Sequence, residues 1–127
     1  MELKLKCSIG EIYDKLTILE IKKSKIKDIN KLKNVSYELD YIISLLKEVS
    51  INKEVQNYIK ELKQINNKLW DIEDKIRNKE ETKEFDDQFI ELARSVYITN
   101  DKRSILKKKI NIAMGSNLIE EKSYKYM

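Results

Sequence analysis

Polar and aromatic side chains recur along one side of two predicted helices in the second half of the chain. They combine an indole, a phenol, two amides and charged groups of both signs: Asn66, Trp70, Glu73, Arg77, Tyr97, Asn100 and Lys107. Guanidinium and ammonium groups bind phosphates and carboxylates, and a flat aromatic face can stack on a ligand ring. The pattern therefore predicts either a ligand site or a structural network of satisfied polar groups, and the sequence leaves both open.

Arginine is used so rarely that its positions are informative. Only three of the 26 basic residues are arginines, and all lie in the second half of the chain: Arg77, Arg94 and Arg103. A planar guanidinium forms paired hydrogen bonds that an ammonium group cannot form. Arg103 occupies a position where the helix pattern predicts an apolar residue, and no carboxylate lies one helical turn away. We predict that its acceptor comes from the first helix or the tail, from one of Asp14, Glu20, Glu120 and Glu121.

The spacing of apolar residues indicates which elements position these side chains. From Val55 to Ile76, and again from Phe89 to Ala113, the pattern repeats at alternate steps of three and four, as in a heptad helix. The two stretches mirror each other about residue 84, which predicts an antiparallel hairpin with arms of roughly 40 Å. In that register Trp70 is expected beside Tyr97 and Asn66 beside Asn100, with Trp70 held between the hairpins. A second mirror centre near residue 29 predicts a shorter hairpin before the long one.

The chain is therefore predicted to be all-α, with two antiparallel hairpins packed as a four-helix bundle and a short tail. We expect one domain over 1–127, with helix 1 over about 8–28, helix 2 over about 31–49, helix 3 over about 52–81, helix 4 over about 86–114 and the tail over 115–127. Ser8 with Glu11 fits a capping box, Asn52 and Asp86 are predicted N-caps, and Gly115 is predicted to end helix 4. The tail's apolar residues are expected to pack it back onto the bundle: Leu118, Ile119, Tyr124 and Tyr126.

Composition excludes several functional classes. The formal charge of +4 is mild, and acidic residues surround the densest lysine runs, so a nucleic-acid partner is not expected. The chain has no histidine, which removes the commonest metal ligand and general base. Cys7 is its only cysteine, so an intrachain disulfide is excluded. Because we find no signal peptide and no apolar run long enough to span a bilayer, we expect a cytoplasmic protein.

Five blocks of sequence carry a resemblance to a known family. In order they are SIGEIYDKLTILEIKKSKI, KLKNVSYELDYI, LWDIEDKIR, FIELARSVYITNDKRSILKKKIN and GSNLIEEKSY. Together they resemble the uncharacterised bacterial domain-of-unknown-function family 6165 over nearly the whole chain. The resemblance implies a small helical protein or module, sometimes near cell-surface glycan assembly proteins, and it implies no activity. The blocks contain these candidate site residues: Asp14, Lys15, Trp70, Glu73, Asp74, Tyr97, Asn100, Asp101, Arg103, Glu120, Glu121, Lys122 and Tyr124.

The chain departs from this family at Ile98, Ile105 and Ile112, where polar or small residues are expected. Their seven-residue spacing predicts an exposed apolar stripe on helix 4. The stripe indicates either drift in composition or a surface through which two copies form a homodimer.

We expect a non-catalytic cytoplasmic binding or adaptor module without a cofactor. Its polar side and tail would engage a partner protein or a small anionic ligand, in a setting linked to surface-glycan assembly. The alternative is a metal-dependent enzyme that acts on a phosphorylated or nucleotide-sugar substrate. In that alternative Asp74 or Asp101 would hold a magnesium ion.

Overall fold

Four helices make up most of the chain in a computed structural model that describes residues 1–127. They are α1 (Ile9–Lys25), α2 (Ile29–Leu46), α3 (Lys53–Glu81) and α4 (Asp87–Ala113). There is no strand, and the two hairpins α1–α2 and α3–α4 pack together as an all-α bundle. The predicted fold class is confirmed. No helix contains an apolar stretch long enough to cross a membrane.

Side-chain caps set where the helices begin. Ser8 Oγ accepts the backbone N–H of Glu11 at 3.1 Å, and Asn52 and Asp86 accept the N–H groups three residues after them. These three N-caps are the predicted ones. Helix α2 differs, because Asp28 accepts the N–H of Lys31 at 2.9 Å and starts the helix two residues earlier than predicted. The same helix ends at Leu46 rather than near residue 49.

The turn between α3 and α4 is held by one lysine. Lys79 Nζ lies 3.1 Å from a carboxylate oxygen of Glu84 and 2.9 Å from one of Asp86. Lys83 adopts a φ of 57°, in the left-handed region, and lets the backbone N–H of Glu84 reach the carbonyl of Lys79 at 2.9 Å. The turn therefore lies at residue 84, where the mirrored apolar pattern places it.

Helix α1 is the central element of the bundle. It packs against both arms of the long hairpin, whereas α2 packs against α1 alone. One buried cluster joins α1 to the long hairpin and consists of Tyr13, Val55, Leu62, Leu106 and Ile110. A second cluster joins α1 to α2 and consists of Leu19, Val35, Leu39 and Ile42. Because α1 faces both arms, polar residues on the arms meet polar residues of α1.

Gly10 allows the start of α1 to approach α4 closely. A Cβ at this position would lie 2.5 Å from the carbonyl oxygen of Lys107 and 2.8 Å from Asn111 Oδ1. The backbone N–H of Gly10 donates to the same Asn111 oxygen at 2.7 Å. Asn111 is buried, so this bond satisfies an amide that water cannot reach. The pair fixes the end of α1 that carries the candidate site.

The tail after Gly115 contains no helix or strand and returns along α4. Gly115 has a φ of 68°, as predicted for the residue that ends a helix. The tail is held mainly by ion pairs, with Lys107 bound to Glu120 at 3.2 Å and Lys108 to Glu121 at 3.0 Å. The prediction that apolar residues anchor the tail is wrong. All four of them are exposed: Leu118, Ile119, Tyr124 and Tyr126.

Candidate ligand-binding site

A buried carboxylate joins α1 to both arms of the long hairpin. The side chain of Asp14 is 1% exposed, and it accepts hydrogen bonds from Arg103 Nε at 3.0 Å, from Arg103 Nη2, and from Asn66 Nδ2 at 2.9 Å. Asn66 Nδ2 also donates to Thr17 Oγ1 at 2.9 Å, and the Thr17 hydroxyl donates to the backbone oxygen of Asp14. The prediction that Arg103 finds its acceptor outside the long hairpin is confirmed. This network fixes α1 against α3 and α4.

Lys107 extends the network towards the tail. Its Nζ lies 2.6 Å from Glu11, 3.2 Å from Glu120 and 3.8 Å from Asp14, and its side chain is only 12% exposed. Burial alone would lower the pKa of Lys107, but the hydrogen bond to Glu11 and the charge of Asp14 raise it instead. Glu11 was expected to complete a capping box with Ser8. Its carboxylate binds Lys107 instead, so only the Ser8 half of the box forms.

Arg103 carries a fixed positive charge with unused donors. The hydrogen bonds to Asp14 raise the pKa of Arg103, although burial works in the opposite direction. A guanidinium has five N–H donors. Three hydrogen bonds are present, two to Asp14 and a long one of 3.5 Å to Asn100 Oδ1, which leaves two donors without a protein partner. Arg103 can therefore bind an anion without releasing Asp14.

The Arg103 side chain lines a groove that we name the Trp70 groove. It has a volume of about 510 Å³ and runs between α1, α3 and α4. Its lining combines an apolar floor, an indole, three cations, two carboxylates and two amides: Ile18, Ile21, Lys22, Asn66, Leu69, Trp70, Glu73, Asp74, Arg77, Asn100 and Arg103. Trp70 is partly buried and belongs to neither core cluster. The expectation that Trp70 is enclosed between the hairpins is therefore wrong, because it lies at the edge of this groove.

The Arg103 side chain also lines a second groove, which we name the tail groove. It has a volume of about 490 Å³ and lies between α1, α4 and the tail. Its lining includes Tyr97, Asn100, Asp101, Arg103, Lys107, Glu120, Lys122 and Tyr124. The carboxylate of Asp101 is buried and accepts the backbone N–H of Met127 at 2.6 Å. The tail forms one side of this groove through Glu120, Lys122 and Tyr124. Within the tail, Lys122 binds Glu120 at 2.6 Å.

The predicted neighbours Trp70 and Tyr97 are separated by these two grooves. Trp70 lines the first and Tyr97 the second, while Asn100 and Arg103 line both and form the wall between them. The aromatic pairs that do form are Phe85 with Phe89 and Tyr124 with Tyr126. A helical register places Cα positions opposite one another, but it does not fix which groove a long side chain lines.

Besides the buried Asp14, two candidate residues line neither groove. Lys15 points towards α2, where its Nζ lies 3.7 Å from Glu38. Glu121 binds Lys108 on another side of α4. Neither contact involves Asp14, so neither residue belongs to the site.

The sequence predicted Asp14 on α1 as a candidate but not its neighbours Glu11, Ile18 and Ile21. Glu11, Asp14, Ile18 and Ile21 are separated by three or four residues and share one face of that helix. They all line the grooves or the network described above. That spacing was visible in the sequence, but the apolar pattern of α1 was assigned only to its contact with α2.

The acidic residues do not converge as a metal site. Asp74 lines the Trp70 groove, whereas Asp101 lines the tail groove and binds the tail backbone. No three acidic or thiol side chains lie close enough to hold one metal ion together. No family model, curated protein or solved structure matches this chain. The resemblance to family 6165 therefore stays a prediction.

Proposed function

We propose that this chain is a non-catalytic binding module whose Trp70 groove holds a small anionic ligand that carries a flat ring. The observation that carries the proposal is the guanidinium of Arg103. It is oriented by a buried carboxylate, it keeps two N–H donors without a protein partner, and its side chain lines the groove. A donor held in place by other contacts loses little conformational entropy when a ligand binds.

Two more cations stand beside the same groove. Lys22 forms no ion pair, and Arg77 pairs only with its helix neighbour Glu73, at 3.2 Å, with 79% of its side chain exposed. Together with Arg103 they give three positive charges, against the carboxylates of Glu73 and Asp74 in the lining and that of Asp14, which pairs with Arg103. The charges therefore balance, and the support for an anionic ligand comes from the unused donors of Arg103, the unpaired Lys22 and the exposed Arg77. Glu73 and Asp74 can accept hydrogen bonds from hydroxyl or amino groups of the ligand.

The shape of the groove supports a ring-containing ligand. Its volume of about 510 Å³ falls within the usual range for small-molecule sites. Trp70, Leu69 and Ile18 supply apolar surface next to the cations, and a partly exposed indole can stack on a flat ring. An anion without a ring would leave this surface in contact with water, so we expect it to bind more weakly.

The geometry of the grooves fits a binding module better than it fits a metal-dependent enzyme. That alternative places a magnesium ion on Asp74 or Asp101, and neither residue belongs to a group of three acidic or thiol side chains. Glu73 is the one other carboxylate that lines the groove of Asp74. The cytoplasm is the location that we propose. An exposed, unpaired thiol at Cys7 suits a reducing compartment.

Titration monitored by fluorescence tests the proposal, because Trp70 is the only tryptophan. The probes are phenyl phosphate, uridine monophosphate, adenosine monophosphate and inorganic phosphate. We expect a saturable change in emission with at least one ring-containing phosphate and a weaker response to inorganic phosphate. If no ring-containing phosphate produces a saturable change, the proposal is wrong.

Two arginine variants separate specific binding from general charge effects. Arg77→Gln removes a cation from the groove without touching the Asp14 network, and we expect it to weaken binding by about tenfold. Arg94→Gln removes the same charge from an exposed position where the arginine pairs with Glu91. It is the matched control and should bind as the wild type does. Equal losses in both variants would indicate non-specific attraction and would contradict the proposal.

A further inference from the structure

The outward side of α4 carries an apolar stripe that no other helix covers. Ile98, Ile105 and Ile112 lie along it; Ile98 is half-buried, whereas Ile105 is 39% and Ile112 63% exposed. Fourteen residues of helix place this stripe along about 21 Å of surface. The seven-residue spacing seen in the sequence is thus a real surface feature rather than part of the core.

Lysines alternate with these isoleucines on the same face. Together with the three isoleucines, Lys102 and Lys109 form a series of five residues from Ile98 to Ile112, at steps of four, three, four and three. This spacing places all five on one side of the helix. Both lysines are exposed, and neither forms an ion pair. Lys109 Nζ lies 5.7 Å from the centre of the Tyr58 ring. This α4 outer face, Ile98 to Ile112, therefore contains apolar and cationic side chains and no carboxylate.

The tail adds aromatic side chains beside the α4 outer face. Tyr124 and Tyr126 line a shallow depression together with Ile105 and Ile112, and the same depression contains three lysines and Glu121, which pairs with Lys108 at 3.0 Å. Both tyrosines are exposed, at 56% and 40%. Tyrosine places an apolar ring next to a polar hydroxyl and is enriched where a membrane meets water.

We propose that the α4 outer face binds the surface of a membrane that contains anionic lipids. Isoleucine side chains can enter the boundary between headgroups and acyl chains while the lysines beside them bind lipid phosphates. A helix that lies flat on the bilayer needs this combination and needs no apolar segment that spans it. The α2 face that exposes Tyr37 and Tyr41 also carries Glu38 and Asp40, so it lacks the same charge complementarity.

Charge disfavours a second copy of this chain as the occupant. Two copies that met along the α4 outer face would bring four lysine ammonium groups together, because each face supplies Lys102 and Lys109. The five residues of the face include no carboxylate, and the neighbouring Glu121 is already paired with Lys108, so the contact would carry like-charge repulsion. An anionic lipid surface satisfies the same lysines.

Vesicle flotation tests this proposal with the full chain. We expect the protein to float with vesicles of equal parts phosphatidylcholine and phosphatidylglycerol, and not with phosphatidylcholine alone. Raising the salt concentration should weaken binding, because it screens the attraction between lysine and lipid. If the wild type floats with neither kind of vesicle, the proposal is overturned.

Matched pairs of variants locate the binding surface. Each lysine near an anionic membrane contributes about fivefold to partitioning, so Lys102→Gln with Lys109→Gln should reduce binding about 30-fold. The control, Lys53→Gln with Lys60→Gln, removes two unpaired, exposed lysines from α3 and should change binding less than about twofold. Equal losses in the two pairs would overturn the assignment to α4.

A pair of substitutions at apolar positions distinguishes membrane binding from self-association. Ile105→Ser with Ile112→Ser should reduce flotation by at least about tenfold, while Tyr37→Ser with Tyr41→Ser on α2 should leave it unchanged. Circular dichroism checks that each variant folds, and analytical ultracentrifugation gives the oligomeric state. A wild-type dimer that dissociates in the isoleucine variant, without vesicle binding, would instead identify a second copy as the occupant.

Discussion

Arg103→Met removes the guanidinium that supplies two hydrogen bonds to the buried carboxylate of Asp14. Methionine fills similar volume along the stem of the side chain but donates no hydrogen bond. Asp14 then keeps the amide of Asn66 at 2.9 Å and the more distant ammonium group of Lys107 at 3.8 Å. The carboxylate remains buried and is left with about half of its polar contacts.

The expected decrease in the free energy of unfolding follows from the hydrogen bonds and the charge partner that Asp14 loses. A hydrogen bond to a charged group contributes about 1.5–3 kcal/mol, and removing one partner of a buried ion pair costs about 3–5 kcal/mol. We expect Arg103→Met to lower the free energy of unfolding by about 3 kcal/mol, near the lower end of the range for a broken buried ion pair. Arg103 is 28% exposed, and Lys107 can move closer and replace part of the lost attraction.

Urea unfolding, followed by circular dichroism and by Trp70 fluorescence, measures this change. Adding Asp14→Asn to Arg103→Met removes the stranded charge but keeps an oxygen that can accept from Asn66. The double variant should therefore recover at least half of the lost stability. Arg94→Met is the control on the same helix, and at an exposed pair with Glu91 it should cost no more than about 0.5 kcal/mol.

The reasoning is refuted if Arg103→Met unfolds at the same urea concentration as the wild type. A double variant that is less stable than the single one would also contradict it, because the stranded charge would not be the cause. An unchanged melt would mean that Arg103 contributes nothing to the bundle and serves a ligand alone.

Three further perturbations test separate parts of the structure. Gly10→Ala should lower the free energy of unfolding by about 1–2 kcal/mol in urea melts, although alanine favours helix, because its Cβ would meet the Lys107 carbonyl at 2.5 Å. Trp70→Ala should cost about 1–2 kcal/mol in the same assay, since a partly buried indole loses less than an enclosed one. The hydrogen bond to Lys122, with that to Lys107, lowers the pKa of Glu120 from its usual 4.5. The ion pairs of Glu120 with Lys107 and Lys122 should therefore persist above pH 4.5 and be lost as the pH falls through the lowered pKa, which NMR signals of the Glu120 side chain can follow.

Local and periodic features were predictable from the sequence. Caps at Ser8, Asn52 and Asp86 depend on residues only three positions apart, and the turn at residue 84 follows from the mirrored apolar pattern. The partner of Arg103 was limited to four acidic residues because an unpaired guanidinium is costly to bury. The choice of Asp14 among them required the position of α1, which periodicity alone does not give.

Features that depend on side-chain length and direction were not predictable. Trp70 and Tyr97 occupy opposed positions in the register, yet they line different grooves, and Arg103, which binds Asp14, lines both. The tail was expected to bury its apolar residues, yet lysines on α4 attract Glu120 and Glu121 and leave those residues exposed. Asp28 caps α2 because its carboxylate reaches the N–H of Lys31, a local choice that the apolar pattern did not resolve.

The indole N–H of Trp70 offers the most direct test of the central claim, that the Trp70 groove binds an anionic ligand with a ring. The chain has one tryptophan, so its ¹H–¹⁵N spectrum contains one indole signal. On titration with phenyl phosphate, uridine monophosphate and adenosine monophosphate in turn, we expect at least one of them to shift and saturate this signal, together with the side-chain signals of Arg77 and Arg103, while the Arg94 signal stays unchanged. An indole signal that does not move at any concentration, or shifts spread evenly over all arginines, would contradict the claim.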